Sequence, residues 1–167
     1  MALSSESLPP QHRQCSYVGQ LSGCEERAEP GSAYCFWHCP EADKSGQDVK
    51  ERLERRARTG KPMEGFRLCN ALLDNINLVN RDGEPFQLVN SDLSRASLHK
   101  AHLYRLDLSG SSLFKTNLSH ANLHRTSLSG CNLLGANLKN SLLDHVNWGG
   151  KLYQELMAEE KPEQASL

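Results

Sequence analysis

The chain has no apolar run approaching the roughly 18 residues that cross a bilayer, and its polar beginning, residues 1–14, lacks the apolar stretch of a signal peptide. These absences predict a cytoplasmic protein without a membrane span in this chain. Aromatic residues make up only 6% of the 167, and leucine supplies much of a modest 38% hydrophobic content, so a conventional mixed core is not expected. A net charge of −1 excludes wholesale attraction to nucleic acid or to a membrane surface. Also missing are a Gly-rich phosphate loop, a nucleophile with a paired base, and paired carboxylates of the kind that line a cleft. No enzymatic activity is expected, and no catalytic residue is assigned.

What is present is a leucine at every fifth position over most of the second half: Leu68, Leu73 and Leu78, then every fifth residue from Leu88 to Leu143. An α-helix scatters residues spaced by five around its circumference, and a strand sends them alternately to opposite faces. A turning solenoid buries all of them. The residue two before each leucine is small or apolar (Ala71, Ile76, Ala96, Ala101, Leu106, Thr116, Ala121, Thr126, Cys131), giving two inward positions per five. Between them stands a short polar residue such as Asp92, Asp107, Asn117, Asn122 or Asn137, suited to bonding nearby backbone at a turn.

Ala121-Asn122-Leu123 and Ala136-Asn137-Leu138 fit the pattern A-(D/N)-L-x-x, and over about 66–148 the chain resembles the pentapeptide-repeat family. The resemblance implies an all-β solenoid, a right-handed quadrilateral β-helix of about four coils in which residues twenty apart stack. The columns expected on that register are Leu68, Leu88, Leu108, Leu128 and Trp148; Leu73, Leu93, Leu113 and Leu133; Leu78, Leu98, Leu118 and Leu138; and Gly83, Leu103, Leu123 and Leu143. Gly83 and the nearby Arg81 predict a loop over 81–85 that replaces one side of the first coil without shifting the others.

Short helices are expected to flank the rod. Ser45-Gly46-Gln47-Asp48 reads as a capped helix start, Val49, Leu53 and Ala57 recur at four, and Thr59-Gly60-Lys61-Pro62 stops the helix. Beyond Trp148, Leu152, Leu156 and Met157 lie near helical spacing and are expected to fold over the last coil. The resulting division is a disordered tail over 1–13, a zinc knuckle over 14–40, a helical linker and N-terminal cap over 41–61, the β-helix over 62–149, and a C-terminal helix or tail over 150–167.

Four of the six cysteines crowd into the first quarter. Cys15-x8-Cys24-x10-Cys35-x2-His38 supplies three thiolates and an imidazole, the donor set of a tetrahedral structural Zn²⁺. A reducing compartment favours metal over disulfide there, and so short a loop-rich segment needs a metal to fold. Cys39 is an alternative to His38 as fourth ligand, and free thiols in a disordered tail are the alternative to a metal site. Catalytic zinc would want an open coordination position and a neighbouring base.

Function is then left to the outer walls. Phe114 and Leu134, twenty apart and beside Leu72, form an apolar patch suited to docking. Arg105, Arg125 and His145 line one basic edge, while the five histidines from His99 onward read as surface polar residues, with His99 and His102 on different faces. The expectation is a bacterial, non-enzymatic protein-interaction scaffold or adaptor. Its partner is an unidentified protein, with a homodimer left open, and nucleic acid is disfavoured by scarce aromatics and interspersed acids. Resemblance to the family also raises a DNA-mimic modulator of a type II topoisomerase such as gyrase, which the basic edges oppose. A third reading makes the chain the soluble regulatory front of a longer protein.

Overall fold

The computed structural model describes residues 13–81 and 83–150. They belong to two compact units, Met1–Ala42 and Asp43–Leu167.

In the second unit, residues from Met63 onward wind into stacked coils of four short sides. Each side is too short for a regular strand and contributes one bridged residue to a parallel ladder. Asp92, Ser112 and Asn132 form one ladder; Ser97, Asn117 and Asn137 the next; His102, Asn122 and Leu142 the third; and Gln87, Asp107, Ser127 and Asn147 the fourth. The step is twenty residues, so Leu93, Leu113 and Leu133 lie above one another. Leu113, Leu118, Leu123 and Leu128 are wholly buried, and side chains fill the interior.

Corners explain how a five-residue side closes. After the inward leucines other than Leu78, where the insert begins, the chain makes a β-turn, and in most of these turns the N–H three residues on donates to the leucine carbonyl, as Ala71 does to Leu68 at 3.1 Å. The third residue of the turn has left-handed φ: Arg95 at 59°, Lys100 at 56°, His120 at 59° and Gly130 at 68°. Positive φ at that place alone marks a type II turn. The conformation costs a long side chain about 1–3 kcal/mol. The ladder holds it in place, since the Lys100 and Lys115 N–H groups donate to Ser119 O at 3.0 Å and Leu134 O at 2.8 Å. The short polar residue before each leucine braces the same corner. Oδ1 of Asp92, Asp107, Asn117 and Asn132 accepts the N–H two residues on, at 2.9–3.2 Å.

The first coil corrects the expected register. Arg67, Leu72 and Asn77 bridge Asp92, Ser97 and His102, a step of twenty-five, whereas Gln87 bridges Asp107 at twenty. Residues 81–85 therefore add to the coil rather than replacing a side. Leu68 lies beneath Leu93, Leu73 beneath Leu98 and Leu78 beneath Leu103, and the remaining column begins with Met63 below Leu88. Gly83 is exposed and belongs to no column. An insertion of one pentad's length leaves the five-residue count untouched, so the leucine spacing carries no trace of it.

Helix α1, Asp48–Arg58, buries Val49, Leu53 and Ala57. Its Glu54 Oε1 accepts the Asn77 N–H at 2.9 Å, and Lys50 Nζ donates to Asp74 O at 3.4 Å. In the coils above, the corresponding N–H donates to the coil below, as His102 does to Ile76 O. Glu54 thus stands in for a missing coil. The expected capping pair is not formed: Gln47 is the N-cap without a side-chain bond, and the Ser45 hydroxyl instead donates to Asp43. At the other end Leu143, Val146 and Trp148 are only half-buried. The segment carrying Leu152, Leu156 and Met157 lies outside the described residues, as does most of the expected N-terminal tail.

Candidate metal centre

The first unit is a small antiparallel hairpin followed by a tight turn. Gln14 bridges Arg27 and Val18 bridges Gly23, so the arms carry Cys15 and Cys24 toward each other. The N–H of Cys15 donates to Glu26 O at 2.9 Å, and that of Cys24 to Tyr17 O at 3.0 Å. Cys35 and His38 share a turn in which the His38 and Cys39 N–H groups both donate to Cys35 O, at 3.1 and 2.9 Å. The Ser16 N–H ties the hairpin to this second segment through Ala33 O at 2.8 Å.

These connections bring one donor atom from each of Cys15, Cys24, Cys35 and His38 within 4.8 Å of all the others, and all four residues are buried. His38 Nδ1 lies 3.5 Å from Cys15 Sγ and 3.3 Å from Cys35 Sγ, and Cys24 Sγ lies 3.7 Å from Cys35 Sγ. A tetrahedron with metal–sulfur bonds of about 2.3 Å and a metal–nitrogen bond of about 2.0 Å has S–S edges of about 3.8 Å and N–S edges of about 3.5 Å. Those three edges match it, the other three are no longer than 4.8 Å, and the cluster could hold a metal ion. Tyr17 stacks on the His38 ring at 3.9 Å with 6° between planes, fixing the imidazole so that Nδ1 faces the thiols.

Burial sets the electrostatics. It pushes the Cys35 thiol up to about 12 and raises Cys24 in the same sense, because thiolates cannot be sustained in this pocket without a compensating cation. A divalent ion would reverse that balance. Cys39 turns elsewhere: its Sγ lies 3.3 Å from Glu41 Oε2 and 3.6 Å from Ser32 Oγ. The geometry therefore groups His38, and not Cys39, with the three thiols.

On the rod, Phe114 and Leu134 stand in one corner column with Cys69 and Ser94. Phe114 is half-buried beneath the Lys115 ammonium, 5.1 Å from its ring centroid, and Leu134 is exposed. Leu72 bridges Ser97 and so belongs to the neighbouring side. Arg105 and Arg125 stack at another corner, their N–H groups donating to His124 O and Asp144 O. The histidines are not isolated surface residues. His99 contacts His120, and His124 contacts His145 and stacks on Tyr104. Recurrence of histidine at a spacing of 21 is the signal that would have shown these pairs, since it joins adjacent positions of one corner on successive coils.

The inward position two before each leucine also carries a hydrogen-bond ladder. Thr116, Thr126 and Ser141 hydroxyls donate to Leu93, Leu103 and Leu118 carbonyls at 2.7 Å, and Cys131 Sγ stands 3.1 Å from Leu108 O in the equivalent place. Burial raises the Cys131 thiol to about 11.

A sequence profile of pentapeptide repeats matches residues 87–113 and 107–144, in eight copies. Among solved structures, a pentapeptide repeat protein from Nostoc Pcc 7120 is 30% identical, covering 57% of this chain and 72% of its own, with a TM-score of 0.46. Another, from the cyanobacterium Cyanothece 51142, is 23% identical over 53% of this chain and 84% of its own, with a TM-score of 0.29. HetL, a pentapeptide repeat protein involved in heterocyst differentiation regulation in Nostoc sp. strain PCC 7120, is 25% identical over 49% of this chain and 46% of its own, with a TM-score of 0.27. Comparison with curated proteins gives no match. Proteins of this repeat form right-handed β-helices and are generally non-enzymatic. Eight matched copies, lying on coils that close five residues to a side, place the chain in the pentapeptide-repeat family.

Proposed function

We propose that this chain is a non-enzymatic interaction module in which a structural Zn²⁺, held by Cys15, Cys24, Cys35 and His38, folds the N-terminal unit and the β-helix presents its walls to a protein partner. The observation that carries this reading is the filled interior: Leu103, Leu113 and Leu123 lie inside the coils at 0–1% exposure, leaving no cavity for a substrate within the described coils. Four protein ligands would also close the zinc shell, whereas catalytic zinc keeps a position open. Phe114 with Leu134, and Arg105 with Arg125, are the contact corners. Basic edges speak against an acidic DNA mimic acting on gyrase.

Metal analysis and partner mapping test the two halves separately. Purified chain should carry about one zinc per molecule, and Cys35→Ser should lose it; metal-free wild-type protein with a folded N-terminal unit overturns the zinc assignment. A photo-crosslinker placed along the rod should give adducts with a protein on at least one wall. Absence of adducts from every wall counts against the module.

A further inference from the structure

The histidines of the β-helix are not spread over its four walls. The ladder His102, Asn122, Leu142 runs up the middle of one wall. The corner before it carries His99 and His120, and the corner after it His124 and His145, so all five histidines of the coils fall on one wall and its two edges. Their rings pair across coils along one repeated diagonal. His99 and His120 have centroids 5.3 Å apart at 81°, and His124 and His145 5.5 Å apart at 82°. Tyr104 extends the second pair by stacking on His124 at 5.5 Å with 5° between planes. Lys100, Arg105, Arg125 and Lys139 stand on the same two edges. The acids there are Asp74 at the bottom, which already accepts from the Ser97 hydroxyl and the His99 N–H, Glu54 of α1 at the foot of the ladder, which accepts the Asn77 N–H and pairs with Arg58, and Asp144 at the top.

We infer that this wall is the docking face for an acidic segment of a partner protein, an inference that rests on the interaction-module reading. The wall's own backbone is used in the ladder, since the N–H groups of His102 and Asn122 donate to Ile76 O at 2.8 Å and Ala101 O at 2.9 Å. No strand can be added to it, and recognition falls to side chains. Carboxylates of the occupant accept from the guanidinium and ammonium groups of the edges and from imidazole N–H groups. An apolar side chain of the occupant meets Leu142, which is 55% exposed in the same ladder. Cations one coil apart, at about 4.8 Å, are close enough to engage carboxylates of a single extended segment. A polynucleotide is poorly served, because Tyr104 is the one Phe, Tyr or Trp on this wall and its edges, leaving few faces on which bases can stack.

The test uses the full chain and a fluorescein-labelled 12-residue peptide of alternating Glu and Phe, with its Gln counterpart and a 12-nucleotide single strand as comparison probes. Anisotropy at low salt should show binding of the Glu peptide at least tenfold tighter than of the Gln peptide, weakening as salt rises. Arg105→Ser with Arg125→Ser, folded by circular dichroism, should lose about tenfold, while Arg55→Ser on α1 with Arg67→Ser in the ladder of Asp92 and Ser112, both exposed and outside this wall and its edges, stays within twofold. Equal loss in both double variants, no preference for Glu over Gln, or tighter binding of the oligonucleotide overturns the inference. Crosslinkers at positions 102 and 134 separate it from the reading beneath it. Protein adducts at 134 and not at 102 sink the wall assignment and leave the module standing, while absence of adducts at these positions and at every other position along the rod sinks both.

Discussion

At the scale of single residues, the inward position two before each leucine does more than fill space. Ser111, Thr116 and Thr126 are buried at 0–1% exposure, yet each hydroxyl donates to a carbonyl of the coil below. Buried polar groups are tolerated when so bonded. Cys131 occupies the same place with a weaker donor, so Cys131→Ser should alter stability by less than about 1 kcal/mol, and a larger loss in chemical denaturation would contradict the equivalence. The thiol adds a pH signature. It is raised to about 11 in the folded chain, against about 8.5 when unfolded. The neutral form is therefore favoured by folding: its contribution is complete below about pH 8.5 and disappears as pH rises through 11. Wild-type melting temperature should fall more steeply than that of Cys131→Ser between pH 9 and 11, and parallel curves would refute the assignment. Leu113→Ala, which opens a cavity at a fully buried site, should cost about 2–5 kcal/mol. The same change at half-buried Leu143 should cost less.

Among the elements, the insert over 81–85 makes the sharpest prediction. If those residues only add to the first coil, deleting them joins Asn80 to Phe86 and restores a step of twenty, with Leu78 and Leu88 separated by two ordinary sides less one pentad. The shortened chain should fold with a melting temperature within a few degrees of wild type, because removing a short loop changes closure entropy little. Collapse of the β-helix would mean that 81–85 supplies a side. The insert was illegible in the sequence for an arithmetic reason, five being the period it interrupts, although Gly83 and Arg81 at expected inward places did locate it. The left-handed corners were equally hidden. Asn and Gly at the third turn position advertise positive φ, but Arg95, Lys100, Arg105 and His120 do not, and ladder bonds impose it on them. By contrast, the leucine period and its small partner two residues earlier made the inner columns of the upper three coils readable, since burial alone dictates both. Helix α1 was readable from Val49, Leu53 and Ala57. Glu54 was not, because its role depends on an N–H left open only at the bottom coil.

For the molecule as a whole, the two units draw on different sources of stability. The β-helix buries columns of leucine, whereas the buried apolar residues of the first unit among the described residues are Cys15, Cys24, Cys35, Cys39 and Trp37. Thiols and one indole do not offset the entropy of ordering some thirty residues, so the zinc proposed here would supply much of that unit's folding free energy. The Cys35-x2-His38 spacing made this centre legible, but which of His38 and Cys39 turns inward depended on a backbone turn that the sequence does not specify. A chelator should therefore act on one unit alone. Hydrogen exchange at the Cys15 and Cys24 amides, protected by Glu26 O and Tyr17 O, should accelerate toward unfolded rates on metal removal. Trp37 emission should shift to the red, and proteases should gain access to 14–40. The amides of Leu113 and Leu118, held by Asn132 O and Asn137 O, should keep their protection, and the melting transition of the β-helix should move by no more than about 2 °C, a shift worth well under 1 kcal/mol in a domain of this size. Loss of protection in the leucine coils on chelation would show that the units fold as one. Unchanged exchange at Cys15 and Cys24 would show that the cluster stands without a metal.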